Sequence, residues 1–232
     1  MTQLFFSDYD MLAEPAGGLP RPLAIVGAGG LGRETALLIT QLNAAGAGWD
    51  LRGFYDDRRP ATPIVGGLPY LGTVAALAAS PTPLAVAVAV GSSAGRAAVV
   101  SRLAAPHLSF PALVHPQVAL RPEQRLVLGE GCLVQRGCIL TCDITLGRFV
   151  LLNLGCTVGH DAVLEDFCSL MPHANVGGGA HLETGAYLGT NATVIHQVRI
   201  GAHTTVGAGA VAVRDLPPGI TAVGVPAKAI SK

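Results

Sequence analysis

The sequence predicts two unlike parts, a small open α/β unit followed by a solenoid that repeats every six residues. Three observations carry this. Between Arg21 and Tyr55 a strand, a glycine loop, a helix and a second strand follow in order. From Leu128 to Val206 an aliphatic residue recurs at every sixth position. Glycine makes up 30 of 232 residues, well above the usual share of about 7%, so many positions require a permissive backbone.

In the first part, Arg21-Pro22-Leu23-Ala24-Ile25-Val26 reads as a buried strand running into Gly27-Ala28-Gly29-Gly30-Leu31-Gly32, a G-x-G-x-x-G match. A helical pattern follows from Arg33 to Ala45, with Leu38 and Leu42 on one face beside Thr35 and Ile39. Leu51 to Tyr55 is a second strand and ends in Asp56-Asp57. Gly27 and Gly29 would let the backbone turn tightly against a phosphate at the helix N-terminus, and the acidic pair is placed for ribose or base hydrogen bonds. Leu84–Val90 predicts a third strand, Gly91-Ser92-Ser93 a turn, Ala94–Ala104 a helix and Phe110–Val114 a fourth short strand. About ninety residues are too few for a dinucleotide fold with two mononucleotide halves.

In the second part the aliphatic series runs Leu128, Val134, Leu140, Leu146, Leu152, Val158, Leu164, Leu170, Val176, Leu182, Leu188, Val194, Ile200, Val206. Four residues after each stands a small or β-branched residue, from Cys132 to Ala210. No helix has a period of six; a short strand plus a turn does, and such units bury their aliphatic residues only against neighbours. Cys132, Cys138, Cys156 and Cys168 fall in the small column and read as compact core residues, leaving Cys142 outside it.

Composition narrows the function. Fifteen basic and fifteen acidic side chains cancel, which argues against a nucleic-acid binder with its basic stripe. Mean hydropathy is +0.48, yet the apolar stretch Leu84–Val90 falls far short of the roughly 18 to 20 residues that span a membrane. Met1–Pro22 carries Asp8, Asp10 and Glu14 before any arginine, unlike a secretory leader, and five cysteines without a C-x-x-C pair suit a reduced cytoplasmic compartment.

The repeat resembles the left-handed parallel β-helix of the hexapeptide-repeat acyltransferases, a triangular prism with three hexads per coil, and Asp215–Gly219 with Gly224-Val225-Pro226-Ala227-Lys228 resembles that family's closing segment. A Rossmann-like half-domain leading into such a helix is similar to the NeuD- and PglD-type sugar acyltransferases. Shared landmarks are Gly53-Phe54-Tyr55-Asp56-Asp57, Val114-His115-Pro116, and Gly159-His160-Asp161 through Glu165-Asp166-Phe167. The fold expected is therefore an α/β Rossmann-like N-terminal domain followed by a left-handed parallel β-helix. An N-terminal extension would span 1–20, the nucleotide-sugar-binding domain 21–112 and the acyltransferase domain 113–232. Where some relatives carry histidines, this chain has Leu31 and Ser169.

The resemblance implies acetyl-CoA as co-substrate, a nucleotide-sugar or sugar acceptor, a homotrimer and no metal. It places the general base on His160 with Asp161 as its tuner, the acetyl-CoA contacts on Ser169, Thr190 and Ala208, and the acceptor contacts on Gly27, Gly29, Gly30, Leu31, Asp56 and Asp57. Stacking arithmetic adds Gly178: eighteen residues beyond His160, it would leave open space above the imidazole and expose an N–H to a thioester oxyanion. Three alternatives stay open. They are O-acetylation of the sialic-acid kind, a zinc enzyme with three converging histidines, and a non-enzymatic nucleotide-sugar-binding protein.

Overall fold

A computed structural model describes residues 20–230. The expected extension at 1–20 lies outside the described residues, Pro20 apart.

The first part is a six-stranded sheet with helices packed on it. β1 (Arg21–Val26) lies at its centre, between β2 (Trp49–Tyr55) and β5 (Leu84–Val88), in the order β3-β4-β2-β1-β5-β6. β3 (Ile64–Val65) and β4 (Leu68–Gly72) form an antiparallel hairpin; β6 (Leu108–Ser109) closes the far edge. Leu23, Ala24, Ile25 and Val26 are buried on both sides of the sheet, as a central parallel strand requires. α1 (Gly30–Ala44) starts inside the glycine loop and buries Gly32, Thr35, Leu38 and Ile39. Glycine is obligatory at two positions here. Gly27 has φ +107°, and a Cβ on Gly32 would lie 1.9 Å from the Gly27 carbonyl oxygen. α2 (Val74–Ala79) is capped by the Thr73 hydroxyl and α3 (Ser93–Arg102) by that of Ser92.

Two differences from the expected elements have a physical reason. The stretch Ile64–Ala79, passed over in the sequence, forms the β3–β4 hairpin and α2; its strands are too short to show a period. Of the strand expected over Phe110–Val114 only the last two residues form one, and a separate strand precedes it. Leu108–Ser109 belongs to the α/β sheet, whereas β7 (Leu113–Val114) pairs in parallel with Leu133–Val134 and opens the second part.

That second part is a three-faced parallel β-helix built mainly of two-residue strands, fourteen of which end on the fourteen aliphatic residues of the series. Between the first and last coils partners lie eighteen residues apart, as in Thr157↔Asn175 and Leu146↔Leu164. One face stacks the strands ending at Leu128, Leu146, Leu164, Leu182 and Ile200. The second stacks those ending at Val114, Val134, Leu152, Leu170, Leu188 and Val206, then Thr221–Val223 and the antiparallel Lys228–Ile230. The third stacks those ending at Leu140, Val158, Val176, Val194 and Ala212. Every residue of the small column is buried, the four cysteines included.

Face two carries the α/β domain. Its outward residues Leu113, Leu133 and Leu151 are at most 2% exposed and share a cluster with Leu23, Ile25, Leu38 and Phe54. The outward residues of the other faces, such as Thr157, Asn175 and Arg199, remain accessible.

Candidate active site

At each corner the third residue after the aliphatic adopts positive φ; Asp161 (+60°), Phe149 (+54°) and His203 (+56°) are examples. The side chain two residues after the aliphatic is thereby carried on a tight turn. His160 stands at such a position between faces three and one, exposed, and its Nδ1 lies 2.7 Å from Asp161 Oδ2. A carboxylate only accepts, so Nδ1 carries the hydrogen, and in the neutral ring the lone pair is on Nε2.

One coil on, Gly179 N–H donates to the His160 carbonyl, so the next turn sits directly over this one. A Cβ on Gly178 would lie 2.6 Å from His160 Nε2 and 2.7 Å from Cε1. The expectation of open space above the ring is therefore corrected: the ring itself fills the place the glycine leaves. The Gly178 N–H has no acceptor among the described residues. One coil back lies Cys142, half-buried, whose carbonyl accepts from Asp161 N–H.

Thr190 and Ala208 are exposed and stacked at the corner between faces two and three, where Gly209 N–H donates to the Thr190 carbonyl. They occupy a different corner from His160. A face is six residues long, so these corners stand up to about 20 Å apart. One chain does not bring these groups together.

Ser169 is a correction. It is an outward residue of face two, wholly buried under the α/β domain, and unavailable to a ligand lying along an open corner. Its hydroxyl lies 3.0 Å from Ser93 Oγ, donates to the Gly91 carbonyl at 3.1 Å and accepts from Arg96 at 2.8 Å. Arg96, which the sequence reading missed, is 1% exposed.

The glycine loop sits at the C-terminal end of β1, beside the loop that follows β5, where open α/β sheets bind ligands. Gly29 and Gly30 are exposed with nothing within 4 Å of where a Cβ would stand, and they begin α1 with its unsatisfied N–H groups. Leu31 is half-buried against the cluster that joins the two parts. Asp56 holds the loop's shape: Oδ2 accepts from Ala28 N–H at 2.8 Å and Oδ1 from Arg58 N–H at 2.8 Å. Asp57 is engaged within the chain. Its carboxylate takes Arg102 at 2.5 Å and Val74 N–H at 3.0 Å, tying α2 to α3, and the Arg102 guanidinium holds its pKa below the usual carboxylate range.

A cleft of about 520 Å³ opens between the loop after β5 and face two, lined by Gly91, Ser92, Ser93 and Ala94 on one side and Met171, Gly185, Tyr187, His203 and Thr205 on the other. Of these the sequence predicts Gly91-Ser92-Ser93 as a turn and Ala94 as the start of a helix. His203 folds over Gly185, where a Cβ would meet its Nδ1 at 2.4 Å. His115 is buried, and burial followed by the nearby Arg136 lowers its pKa. No described helix is long and apolar enough to cross a membrane.

Comparison with known proteins agrees with this architecture. The PglD N-terminal domain family matches residues 22–103. The acetyltransferase domain of PglB from Neisseria gonorrhoeae FA1090 is 33% identical, with a TM-score of 0.83 over 90% of this chain and 100% of that one. PerB from Caulobacter crescentus, solved with CoA and GDP-perosamine, is 34% identical, with a TM-score of 0.77 over 94% and 100%. WeeI from Acinetobacter baumannii AYE is 29% identical, with a TM-score of 0.79 over 90% and 100%. No curated protein matches. With the α/β domain, the hexapeptide prism and the order of the two parts shared over nearly the whole length, the chain belongs to the NeuD- and PglD-like sugar acyltransferases of the hexapeptide-repeat superfamily.

Proposed function

We propose that this chain transfers the acetyl group of acetyl-CoA to the amino group of a nucleotide-linked amino sugar, in the cytoplasm, as a homotrimer. The observation that carries the acceptor class is the likeness, over 94% of the chain, to a protein solved with CoA and GDP-perosamine. A second solved relative is in complex with acetyl coenzyme A.

In this reading His160 is the general base. Its Nδ1–H is held by Asp161, which fixes the tautomer and supports the positive charge the ring acquires. The neutral sugar amine attacks the thioester carbonyl while Nε2 takes its proton. Gly178 N–H, without an acceptor among the described residues, donates to the oxyanion. Collapse breaks the C–S bond, and the proton held on Nε2 passes to the leaving CoA sulfur. No covalent acyl-enzyme is formed.

Acetyl-CoA lies along the corner of Thr190 and Ala208, and the His160 corner of a second copy meets it there. Separation of the two corners within one chain supports the trimer. The acceptor's phosphates lie at the Gly27–Gly30 loop and the start of α1, and its sugar extends into the cleft beside the loop after β5.

The test is CoA release from acetyl-CoA against UDP-, GDP- and TDP-linked amino sugars and free sialic acid. Turnover with an amino sugar is the expected result. Turnover with hydroxyl acceptors alone would move the assignment to O-acetylation, and CoA binding without turnover across the panel would overturn the acceptor class.

A further inference from the structure

Beside the apolar contact on face two, a buried cation joins the α/β domain to the prism. Arg96, on the first turn of α3, is 1% exposed, and burial pulls its pKa down to about 10. All six of its acceptors are uncharged. Nε donates to the Phe149 carbonyl at 2.8 Å, and Nη1 to those of Val90 at 2.6 Å and Gly91 at 3.4 Å. Nη2 donates to the carbonyls of Phe167 at 2.9 Å and Cys168 at 3.1 Å, and to Ser169 Oγ at 2.8 Å.

A guanidinium without a carboxylate is a costly thing to bury, and satisfying its donors offsets that only when the acceptors are held in place. These acceptors come from two successive coils of the prism and from the loop after β5. Ser169 completes the joint. Its single hydrogen goes to the Gly91 carbonyl, so the Ser93 hydroxyl is the donor in the 3.0 Å Ser93–Ser169 bond. In the two preceding coils the same outward position holds Leu133 and Leu151, so this hydroxyl stands where packing alone would favour an apolar side chain. Gly91 and Ser93, both fastened by it, line the cleft of about 520 Å³.

We infer that Arg96 and Ser169 form a latch that sets the loop after β5 against the prism, so that the acceptor's reacting group is presented at a fixed distance from the prism corners. Both act as positioning residues through Gly91 and Ser93. The inference rests on the reading that the acceptor occupies this cleft.

The experiment compares wild type with Ser169→Ala, Arg96→Lys and Arg96→Met in the full chain, by steady-state kinetics and amide hydrogen exchange. Arg96→Met should raise the acceptor KM by about tenfold or more, since displacement by an ångström is enough for such an effect. Ser169→Ala should raise it by about threefold, with kcat and the acetyl-CoA KM within about twofold in both. Arg96→Lys should recover part of the loss. Exchange should quicken in residues 89–97 and not in α1 or β2. If Arg96→Met fails to fold, Ser169→Ala carries the test. A rise in the acetyl-CoA KM alone would overturn the latch and return Ser169 to the thioester; an unchanged acceptor KM with unchanged exchange would also overturn it. Should wild type accept no nucleotide sugar, the acceptor reading fails, and the exchange comparison still decides the latch.

Discussion

The imidazole of His160 rests on the Cα of Gly178, with Nε2 only 2.6 Å from where a Cβ would stand. Gly178 does not have positive φ, so its backbone conformation suits any residue and only the ring demands glycine there. Two residues eighteen apart are thus coupled through one missing methyl group, and the coupling fixes the direction in which Nε2 points.

Gly178→Ala therefore tests the site without straining the fold. With His160 as base, the added methyl should swing the ring and reduce kcat by about ten- to a hundredfold. The melting temperature should shift little and the circular dichroism spectrum should be retained. Wild-type kcat in this variant would mean that the ring position is irrelevant to turnover. His160→Ala should abolish transfer while leaving the prism folded, because the side chain is exposed and outside the inward columns.

Two glycines separate backbone strain from packing in the prism. Gly209 has φ +67° and open space around it, so Gly209→Ala should cost about 1 kcal/mol from conformation alone. Gly131 has φ +70°, and its Cβ would fall 2.3 Å from the Phe149 ring. That ring stacks on Phe167 at 5.5 Å and meets Phe110 edge-on at 5.2 Å, so it has nowhere to move. Gly131→Ala should cost about 2–5 kcal/mol, strain and overpacking together, in urea denaturation. Equal losses in the two variants would show that the aromatic cluster yields.

The period of six was legible because a solenoid is held by nearest neighbours. Each coil repeats the same burial, so the inward columns from Leu128 to Val206 and from Cys132 to Ala210 appear directly in the chain. The joint between the two parts was not legible. Arg96, Ser169 and Phe149 are far apart in sequence, and a lone arginine in a short helix reads as solvated until face two is laid against it. The tie from Asp57 to α3 was hidden for a similar reason: its partner Arg102 is 45 residues away. One missed signal was available. The turn position three after the aliphatic residue is Gly, Asp or Asn in nine of the fourteen units, among them Gly131, Asp143 and Asn191, the residues that best tolerate positive φ.

Stability should depend on pH through His115. Burial first and Arg136 second lower its pKa below the ordinary value of about 6.5. Between the folded value and the unfolded one the unfolded chain binds more protons, so stability is full above about pH 6.5 and falls as pH drops through that window. Nδ1 accepts from Gln117 N–H at 3.1 Å, a bond that an asparagine oxygen can keep. His115→Asn should therefore lose less stability than wild type between pH 7 and 5, measured by urea denaturation. Parallel curves for the two proteins would assign the acid sensitivity to other groups.

Thiol chemistry separates direct transfer from an acyl-cysteine route. Cys132 and Cys168 are buried, with burial as the main cause of thiol pKa values pushed up to about 12, and their thiols face backbone carbonyls. Cys138 and Cys156 are buried in the same column; Cys142, one coil before His160, is half-buried. The nucleophile in such chemistry is the thiolate, so the four core thiols should be inert in the folded protein. A chromogenic disulfide reagent should modify about one thiol per chain before unfolding and all five after it. Cys142→Ser should abolish the native reaction and retain acetyl transfer, since the proton path through His160 Nε2 needs no thiol. Loss of transfer in that variant, with acetyl-CoA still bound, would replace direct attack with an acyl-enzyme on Cys142 and recast His160 as the group that activates the thiol.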